Sequence, residues 1–223
     1  MALFFNMQPN KKDLFMELQV TELEKDIIKE ILNIGLARAA DSFASIAKDK
    51  VLMKVPDLEL IQTNEISQFI SGYEETHEII QSDIKGDFNG TTLMLFSGNH
   101  VEMLSLVCLN LKGPYQKPLS AMQESLLLEI SNIITGAFVT QLANILKADI
   151  YGSPPIYPQK DIAHSLKHIT DVNPLFQPII FTVLTHFTDH KGMVELPLFL
   201  FFDTITFNKI LEIIRSYKFY EER

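Results

Sequence analysis

The sequence contains no tryptophan, a single cysteine and comparatively few basic residues. The 19 lysines and arginines stand against 28 aspartates and glutamates, so the formal net charge is −9 at pH 7. Because a protein that grips a phosphate backbone needs a basic surface, this composition argues against nucleic-acid binding. A lone cysteine excludes an intrachain disulfide, and the apolar surroundings of Cys108 predict a small buried side chain rather than a reactive thiol.

Long hydrophobic runs and targeting signals are also missing. The first 13 residues lack the basic-then-apolar order and the cleavage site of a secretory signal. The most apolar stretch, residues 193–202, contains Glu195 and Pro197 and is much shorter than the roughly 20 residues that cross a bilayer. No basic run is present that would hold an anionic membrane surface. We therefore predict a cytoplasmic protein without membrane insertion.

Several familiar catalytic patterns are absent as well. There is no glycine-rich phosphate loop, no Gly-x-Ser-x-Gly elbow and no cysteine–histidine arrangement typical of a nucleophile. His164 and His168 are four residues apart, but no third ligand follows at a characteristic spacing. His186 and His190 lie in a segment that reads as a strand entering a turn, where this spacing does not converge. We predict that the protein holds no metal and no cofactor of its own.

The sequence does contain an internal repeat with an offset of 99 residues, and such repeats constrain a fold strongly. One copy begins at Thr21 and the other at Ser120, and 47% of the whole chain is hydrophobic, enough for a large core. The identical pairs between Thr21 and Pro56 and their counterparts are Glu30/Glu129, Ile31/Ile130, Asn33/Asn132, Ile34/Ile133, Ala44/Ala143, Ile46/Ile145, Lys48/Lys147 and Pro56/Pro155.

Each copy opens as a long helix. Thr21-x-x-Glu24 and Ser120-x-x-Gln123 are capping boxes, in which two side chains satisfy exposed backbone groups at a helix start. Apolar residues then recur at helical spacing and predict a stripe that faces the core. The stripe consists of Leu23, Ile27, Ile31 and Ile34 in the first copy and of Met122, Leu126, Ile130 and Ile133 in the second.

Short apolar runs after each helix predict strands, at residues 51–61 and 149–157 and later at 90–96 and 197–202. A further helix is predicted after each of the last two runs. The expected fold is therefore α/β, with an internal duplication of helix–strand units, pseudo-twofold symmetry and two long helices over a mostly antiparallel sheet. We expect one domain over residues 1–223, with halves at about 20–110 and 118–217, because halves this small gain from sharing a sheet.

Three polar positions recur along each long helix. Steps of four and three residues place them within about 60° of one another, in a line beside the apolar stripe. One turn further along this line the side chains are small or short, which predicts a surface that a partner can approach closely. These residues are Ala37 and Ala40 in the first copy and Gly136 and Val139 in the second. A structural hydrogen bond made by each asparagine is the alternative reading of the same spacing. The positions are Asp26, Glu30 and Asn33, and Ser125, Glu129 and Asn132.

In both copies a proline follows the asparagine after 22 residues, at Pro56 and Pro155. The complete pattern, [Asp/Ser]-x-x-x-Glu-x-x-Asn followed by this proline, resembles the active-site signature of the CheC/CheX/FliY phosphatase family, and of its branches CheC most. The resemblance covers roughly residues 20–215. The sequence departs from the family pattern where Ile134 replaces the counterpart of Gly35 and where Arg38 brings a cation near the first motif.

The resemblance implies a chemotaxis phosphatase that hydrolyses the aspartyl phosphate of a CheY-like response regulator. It assigns Glu30 and Glu129 to pair with a lysine of the regulator, and Asn33 and Asn132 to orient the attacking water. Asp26 and Ser125 are expected to support the rim of each site, and Pro56 and Pro155 to be structural. Mg²⁺ is expected on the regulator. The deamidase CheD is a possible second partner.

The sequence is also compatible with other functions. One alternative is a non-catalytic module that binds a response regulator or CheD. The glutamate and asparagine retained in both motifs argue against it. A flagellar switch protein like FliY is a second alternative, but it is not expected because that family has an additional domain and this sequence ends at Arg223. A CheX-like phosphatase is a third, but CheX-type chains are shorter. The repeat predicts two separately competent sites; if they differ, Arg38 favours the Ser125 copy.

Overall fold

The computed structural model describes residues 20–61, 65–66, 77–158, 162–172, 176–189 and 192–216. These residues form five helices and seven strands. In chain order they are α1 (Glu22–Ala47), β1 (Val51–Lys54), β2 (Leu58–Leu60), β3 (His77–Gly86), β4 (Gly90–Ser97), α2 (Gly98–Leu109), α3 (Ala121–Leu146), β5 (Ile150–Gly152), α4 (Ile162–Val172), β6 (Phe176–Phe187), β7 (Gly192–Asp203) and α5 (Thr204–Ser216).

The two long helices α1 and α3 have 26 residues each and begin where the sequence predicts. Both capping boxes are formed: the Thr21 and Ser120 hydroxyls accept from the backbone three residues on, and Glu24 and Gln123 accept from the cap N–H in return. At the other end, Lys48 and Lys147 adopt left-handed backbone conformations with φ of 51° and 50°, which turn the chain out of each helix.

All strands belong to one antiparallel sheet with the order β1-β6-β7-β4-β3-β5, and β2 also pairs with β6. Each half of the chain supplies a hairpin, β3–β4 or β6–β7. The strand that follows each long helix pairs with the hairpin of the other half: β1 with β6, and β5 with β3. The halves therefore interleave in one sheet, and β1 and β5 lie at its opposite edges.

Helices α1, α2, α3 and α5 cover one face of the sheet, where they enclose the main hydrophobic core with Phe43, Phe138, Phe187 and Phe207 among its buried rings. A smaller cluster on the other face joins Leu166 and Ile169 of α4 to sheet residues such as Phe199 and Phe201. The predicted mixture of helices and antiparallel sheet is confirmed, as are the strands after the long helices and the helices after β4 and β7.

The phase of the predicted apolar stripe is wrong in part. Ile31, Leu126 and Ile130 are buried, but Leu23 is 46% exposed and Met122 58% exposed, and Ile34 is exposed as well. The buried face of α1 is instead formed by Ile28, Ile31, Leu32, Gly35, Leu36, Ala39, Ala40 and Phe43. Covering by the sheet on one side and by α3 on the other gives α1 a wider and rotated buried face, which periodicity alone does not place.

Close contact between α1 and α3 explains the glycine at position 35. A Cβ atom added to the buried Gly35 would lie 3.1 Å from the carbonyl oxygen of Ala137 on α3. Since a backbone oxygen cannot rotate away, glycine at this position allows the two long helices to approach closely. Gly35 therefore serves the packing between the two halves, and its counterpart Ile134 is buried in the core.

Two further sequence predictions concern α3 and Cys108. By length and composition, α3 is apolar enough to span a membrane, but 56% of its most apolar window is buried within the protein, and core helices pass the same test. Among the described residues no other helix qualifies. Cys108 is partly buried, and its desolvation raises the pKa of the thiol to about 12, so that it stays protonated near neutral pH.

The capping residue Glu24 also ties α1 to the last helix. Its carboxylate is 3% exposed and accepts a charged hydrogen bond from the Arg215 guanidinium of α5. Chiefly because of this bond, and against the opposing effect of burial, the pKa of Glu24 is lowered from its ordinary value. In the second half Gln123 makes the corresponding link, donating to the Ser105 hydroxyl of α2.

We expect Arg215→Gln to destabilise the protein by about 1.5–3 kcal/mol at pH 7, the usual contribution of a hydrogen bond to a charged group. Because the native pKa of Glu24 is lowered, this contribution is fully present above the unfolded-state pKa and is lost as the pH falls through the native value. Urea unfolding at pH 7 and at pH 3 measures both effects. Arg38→Gln, at an exposed position on α1, is the control, and equal losses in the two variants would contradict the prediction.

Candidate functional site

The two polar lines lie on α1 and α3, each beside the edge strand that follows its helix. Glu30 and Glu129 are both exposed, and neither carboxylate makes a hydrogen bond or an ion pair with the residues that the structure describes. Asn33 is half-buried, whereas Asn132 is exposed. A glutamate and an asparagine three residues apart on a helix have Cβ atoms about 5–6 Å apart, so each pair presents a free carboxylate next to an amide.

The residues at the first motif position are exposed, and they differ in charge and surroundings. Asp26 lies 3.7 Å from the Lys29 ammonium and lines a polar groove of about 290 Å³ together with Lys25 and Asp57. Ser125 lies beside Glu124, whose carbonyl oxygen accepts from the Tyr157 hydroxyl at 3.2 Å. Charged side chains of both signs therefore lie around Asp26, whereas Tyr157 contacts the helix turn beside Ser125.

The side chain of Asn33 is engaged by the main chain of one residue. Its Oδ1 accepts from the Val55 N–H at 2.7 Å, and its Nδ2 donates to the Val55 carbonyl at 3.3 Å. A main-chain N–H can only donate, so the orientation of the amide is fixed by chemistry. Val55 is 2% exposed, so its main-chain polar groups have little access to water. Asn33 thus supplies the partners that they need.

The main-chain groups of Val55 need these partners because the chain forms a bulge between β1 and β2. The register joins Lys54 to Leu184 and Leu58 to Phe181, so three residues face two. Such an extra residue leaves main-chain groups without ladder partners. Pro56 lies within the bulge, where a residue without an N–H is tolerated.

The second half has a bulge of the same size, but a different residue occupies the position equivalent to Val55. Gly152 pairs with Ile84 and Ile156 with Gln81, so again three residues face two. The counterpart of Val55 is Pro154, which has no N–H to satisfy. Among the described residues no hydrogen bond forms to the Asn132 side chain. The two asparagines therefore share a spacing, while their surroundings differ.

Other members of each line also fall into matched positions. Leu23 and Met122 are exposed apolar residues at equivalent places, three residues before Asp26 and Ser125. Ala37 is exposed, and Gly136 has nothing within 4 Å of an added Cβ. The prediction that Ala40 and Val139 share this accessible surface is wrong, because both are buried in the core. Each line runs from an apolar residue through serine or aspartate, glutamate and asparagine to a small residue.

The histidine pairs gain no support as a metal site. His164 and His168 are exposed on α4 and His186 on β6, while His190 lies outside the described residues. Within the described part of the chain, no group of three or more histidine, cysteine, aspartate or glutamate side chains is placed to hold a metal ion. That the protein binds no metal of its own stays a prediction.

Residues 122–156 match the model of the CheC-like family, and this span contains the entire second motif from Ser125 to Pro155. The CheY-P phosphatase CheC of Bacillus subtilis (strain 168) is 27% identical over 138 residues, which cover 61% of this chain and 66% of that protein. The flagellar motor switch phosphatase FliY of the same strain is 24% identical over 142 residues, covering 61% and 35%. The matches span less than two thirds of each relative.

Solved structures share the fold. The crystal structure of Thermotoga maritima FliY aligns with a TM-score of 0.67 at 18% identity, covering 88% of this chain and 98% of that one. A chain of the FliG–FliM complex from H. pylori aligns with a TM-score of 0.61 at 12% identity, covering 86% and 100%. The chain is thus similar to the CheC-like family over residues 122–156 and to FliY in its fold. Its sequence pattern and its fold thus point to the same family.

The residues that make the two motif copies differ lie outside the motif itself. Val55 and Pro154 directly precede the motif prolines, and the 99-residue offset aligns them. The replacement of an N–H by a proline ring was visible in the sequence. Its meaning depends on the Asn33 contact, which joins residues 22 positions apart.

Proposed function

We propose that this chain is a cytoplasmic phosphatase of chemotaxis signalling that hydrolyses the aspartyl phosphate of a CheY-like response regulator. The observation that carries the proposal is the exposed pair Glu129 and Asn132, without partners among the described residues, inside the segment that matches the CheC-like family. Its relatives in Bacillus subtilis are named a CheY-P phosphatase and a flagellar motor switch phosphatase. The repeated motif supplies a second pair, Glu30 and Asn33.

In this proposal each glutamate pairs with a lysine in the regulator's phosphorylation pocket and thereby orients the two proteins. The asparagine reaches the same pocket and holds a water in line with the acyl phosphate bond. A neutral amide suits this task, because it both donates and accepts hydrogen bonds and does not repel a phosphoryl group. A hundredfold acceleration needs only about 2.7 kcal/mol, which positioning by one group supplies. Mg²⁺ belongs to the regulator and stabilises charge there.

The exposed position of the site explains why a folded partner is required. Glu129 and Asn132 lie on the outer face of a helix and not in a cavity, so they neither enclose a small substrate nor exclude water from it. A regulator supplies the pocket that this surface lacks. We therefore expect efficient hydrolysis of an aspartyl phosphate on a regulator and negligible hydrolysis of a free phosphoester.

The direct test mixes the protein with candidate regulators phosphorylated on aspartate and follows the loss of the acyl phosphate with Mg²⁺ present. Acceleration for at least one regulator, and none for a small chromogenic phosphoester, is the expected result. Hydrolysis of the free phosphoester would indicate a self-contained hydrolase. Binding to a regulator or to CheD without acceleration would favour the binding module, which the FliM-like fold also permits.

A substitution at Gly136 tests whether the partner lies against the site line. We expect Gly136→Gln to raise the KM for the phosphorylated regulator roughly tenfold and to leave the fold intact, because the position is open and glutamine favours a helix by about 0.5 kcal/mol over glycine. Asn144→Gln, at an exposed position two turns further along α3, is the control for a surface glutamine. An unchanged KM in both variants would place the docking surface elsewhere.

A further inference from the structure

We propose that the residue before the motif proline sets how fast each site hydrolyses the acyl phosphate. The Val55 N–H restrains Asn33, whereas Pro154, which has no N–H, leaves Asn132 free. The inference rests on the proposed function and assigns Val55 and Pro154 as positioning residues within it. It starts from the two hydrogen bonds between the Asn33 side chain and the Val55 main chain, one donated by each residue. Neither residue belongs to the Glu-x-x-Asn motif or is its proline.

The Asn33 amide has only part of its hydrogen-bonding capacity left for other partners. Of the two donors and two acceptor positions of a primary amide, one of each faces Val55. More importantly, the side chain is drawn towards the edge strand β1 and is half-buried there. To extend into the pocket of a docked regulator, it has to leave both main-chain partners, whose groups are buried and have no water to replace it.

No such competition exists in the second half. Pro154 has no N–H, and its flanking residues are fixed to β3 without help from α3. The Ser153 N–H donates to the Asp83 carbonyl at 2.7 Å, and the Ile156 N–H donates to the Gln81 carbonyl at 2.8 Å. Pro154 is exposed where Val55 is buried, so the two segments also present different sides to their helices. Asn132 is therefore available to the partner without prior rearrangement.

One competing hydrogen bond of ordinary net strength shifts a population roughly fivefold. The first site is thus expected to contribute a minor share of the turnover, and the second most of it. The difference lies in kcat rather than in docking, because the restraint acts on the water-holding amide, while Glu30 and Glu129 are equally exposed and free to pair with the regulator.

Val55→Pro tests the restraint, because it reproduces the Pro-Pro sequence of the second half and removes the donor. In an Asn132→Ala background, where only the first site remains, Val55→Pro is expected to raise kcat about fivefold with little change in KM. Val55→Ala is the matched comparison: it alters the same buried side chain but keeps the N–H, so its kcat is expected to stay several-fold below that of Val55→Pro. An unchanged or lower kcat in a folded Val55→Pro variant overturns the proposal.

A second measurement needs neither the variant nor the regulator. Side-chain amide protons of Asn33 are expected to exchange with solvent several-fold more slowly than those of Asn132 in the wild-type protein, as followed by NMR. Equal exchange overturns the restraint even if Val55→Pro fails to fold. If the wild-type protein dephosphorylates no regulator, the proposed function fails, while the exchange rates still decide whether Val55 holds Asn33.

Discussion

Asn132→Ala is expected to lower the dephosphorylation rate of the regulator about sixfold, to the rate that the restrained first site supplies, without lowering the melting temperature. The amide is exposed and forms no hydrogen bond within the described structure, so its removal leaves no buried group without a partner. Alanine also favours a helix more than asparagine does. The loss therefore falls on kcat, which reports the positioning of water, and corresponds to about 1 kcal/mol of transition-state stabilisation.

The measurement follows acyl phosphate loss and thermal unfolding on the same preparations. Asn144→Ala is a suitable control, because Asn144 is another exposed asparagine of α3, twelve residues beyond the site. Full activity in Asn132→Ala would refute the catalytic assignment. Loss of activity together with a lower melting temperature would support a structural role for this asparagine.

Asn33→Ala is expected to have the opposite signature, a clear loss of stability with a smaller loss of activity. It removes the partners of the Val55 N–H and carbonyl, which are buried in the bulge after β1. A buried polar group left unpaired costs about 1–3 kcal/mol. In a protein of this size each kcal/mol lowers the melting temperature by about 2–4 °C.

Urea unfolding of Asn33→Ala and Asn132→Ala compares the same substitution at equivalent positions, so helix propensity cancels. Asn33→Asp is expected to be intermediate, since a carboxylate still accepts from the Val55 N–H and no longer donates to the carbonyl. Equal stability of the two alanine variants would show that the Val55 contacts contribute nothing. Both asparagines would then be dispensable for folding.

Much of this protein follows from its sequence alone. The 99-residue repeat placed two long helices with their capping boxes at Thr21 and Ser120, and hydrophobic runs placed the strands and the later helices. These are local features, because capping and periodicity act over a few residues. The Glu-x-x-Asn motif and its distant proline also pointed to the family, because a motif present twice at one spacing is specific.

Only the tertiary structure decided which surface of each helix is free. Leu23 and Met122 read as core residues by periodicity and are exposed, while Ala40 and Val139 read as surface and are buried. The rotation of the buried face depends on how α1 packs against α3 through Gly35 and against its edge strand. Such packing joins residues from both halves of the chain, which a local pattern cannot register.

The difference between the two sites is likewise a property of the fold. In the sequence Asn33 and Asn132 are identical residues at matching positions. Their surroundings differ because the interleaved sheet brings a bulge against each long helix, and one bulge carries an N–H at Val55 where the other carries Pro154. A buried donor must find an acceptor, and in the first half the only motif residue that it engages is the asparagine.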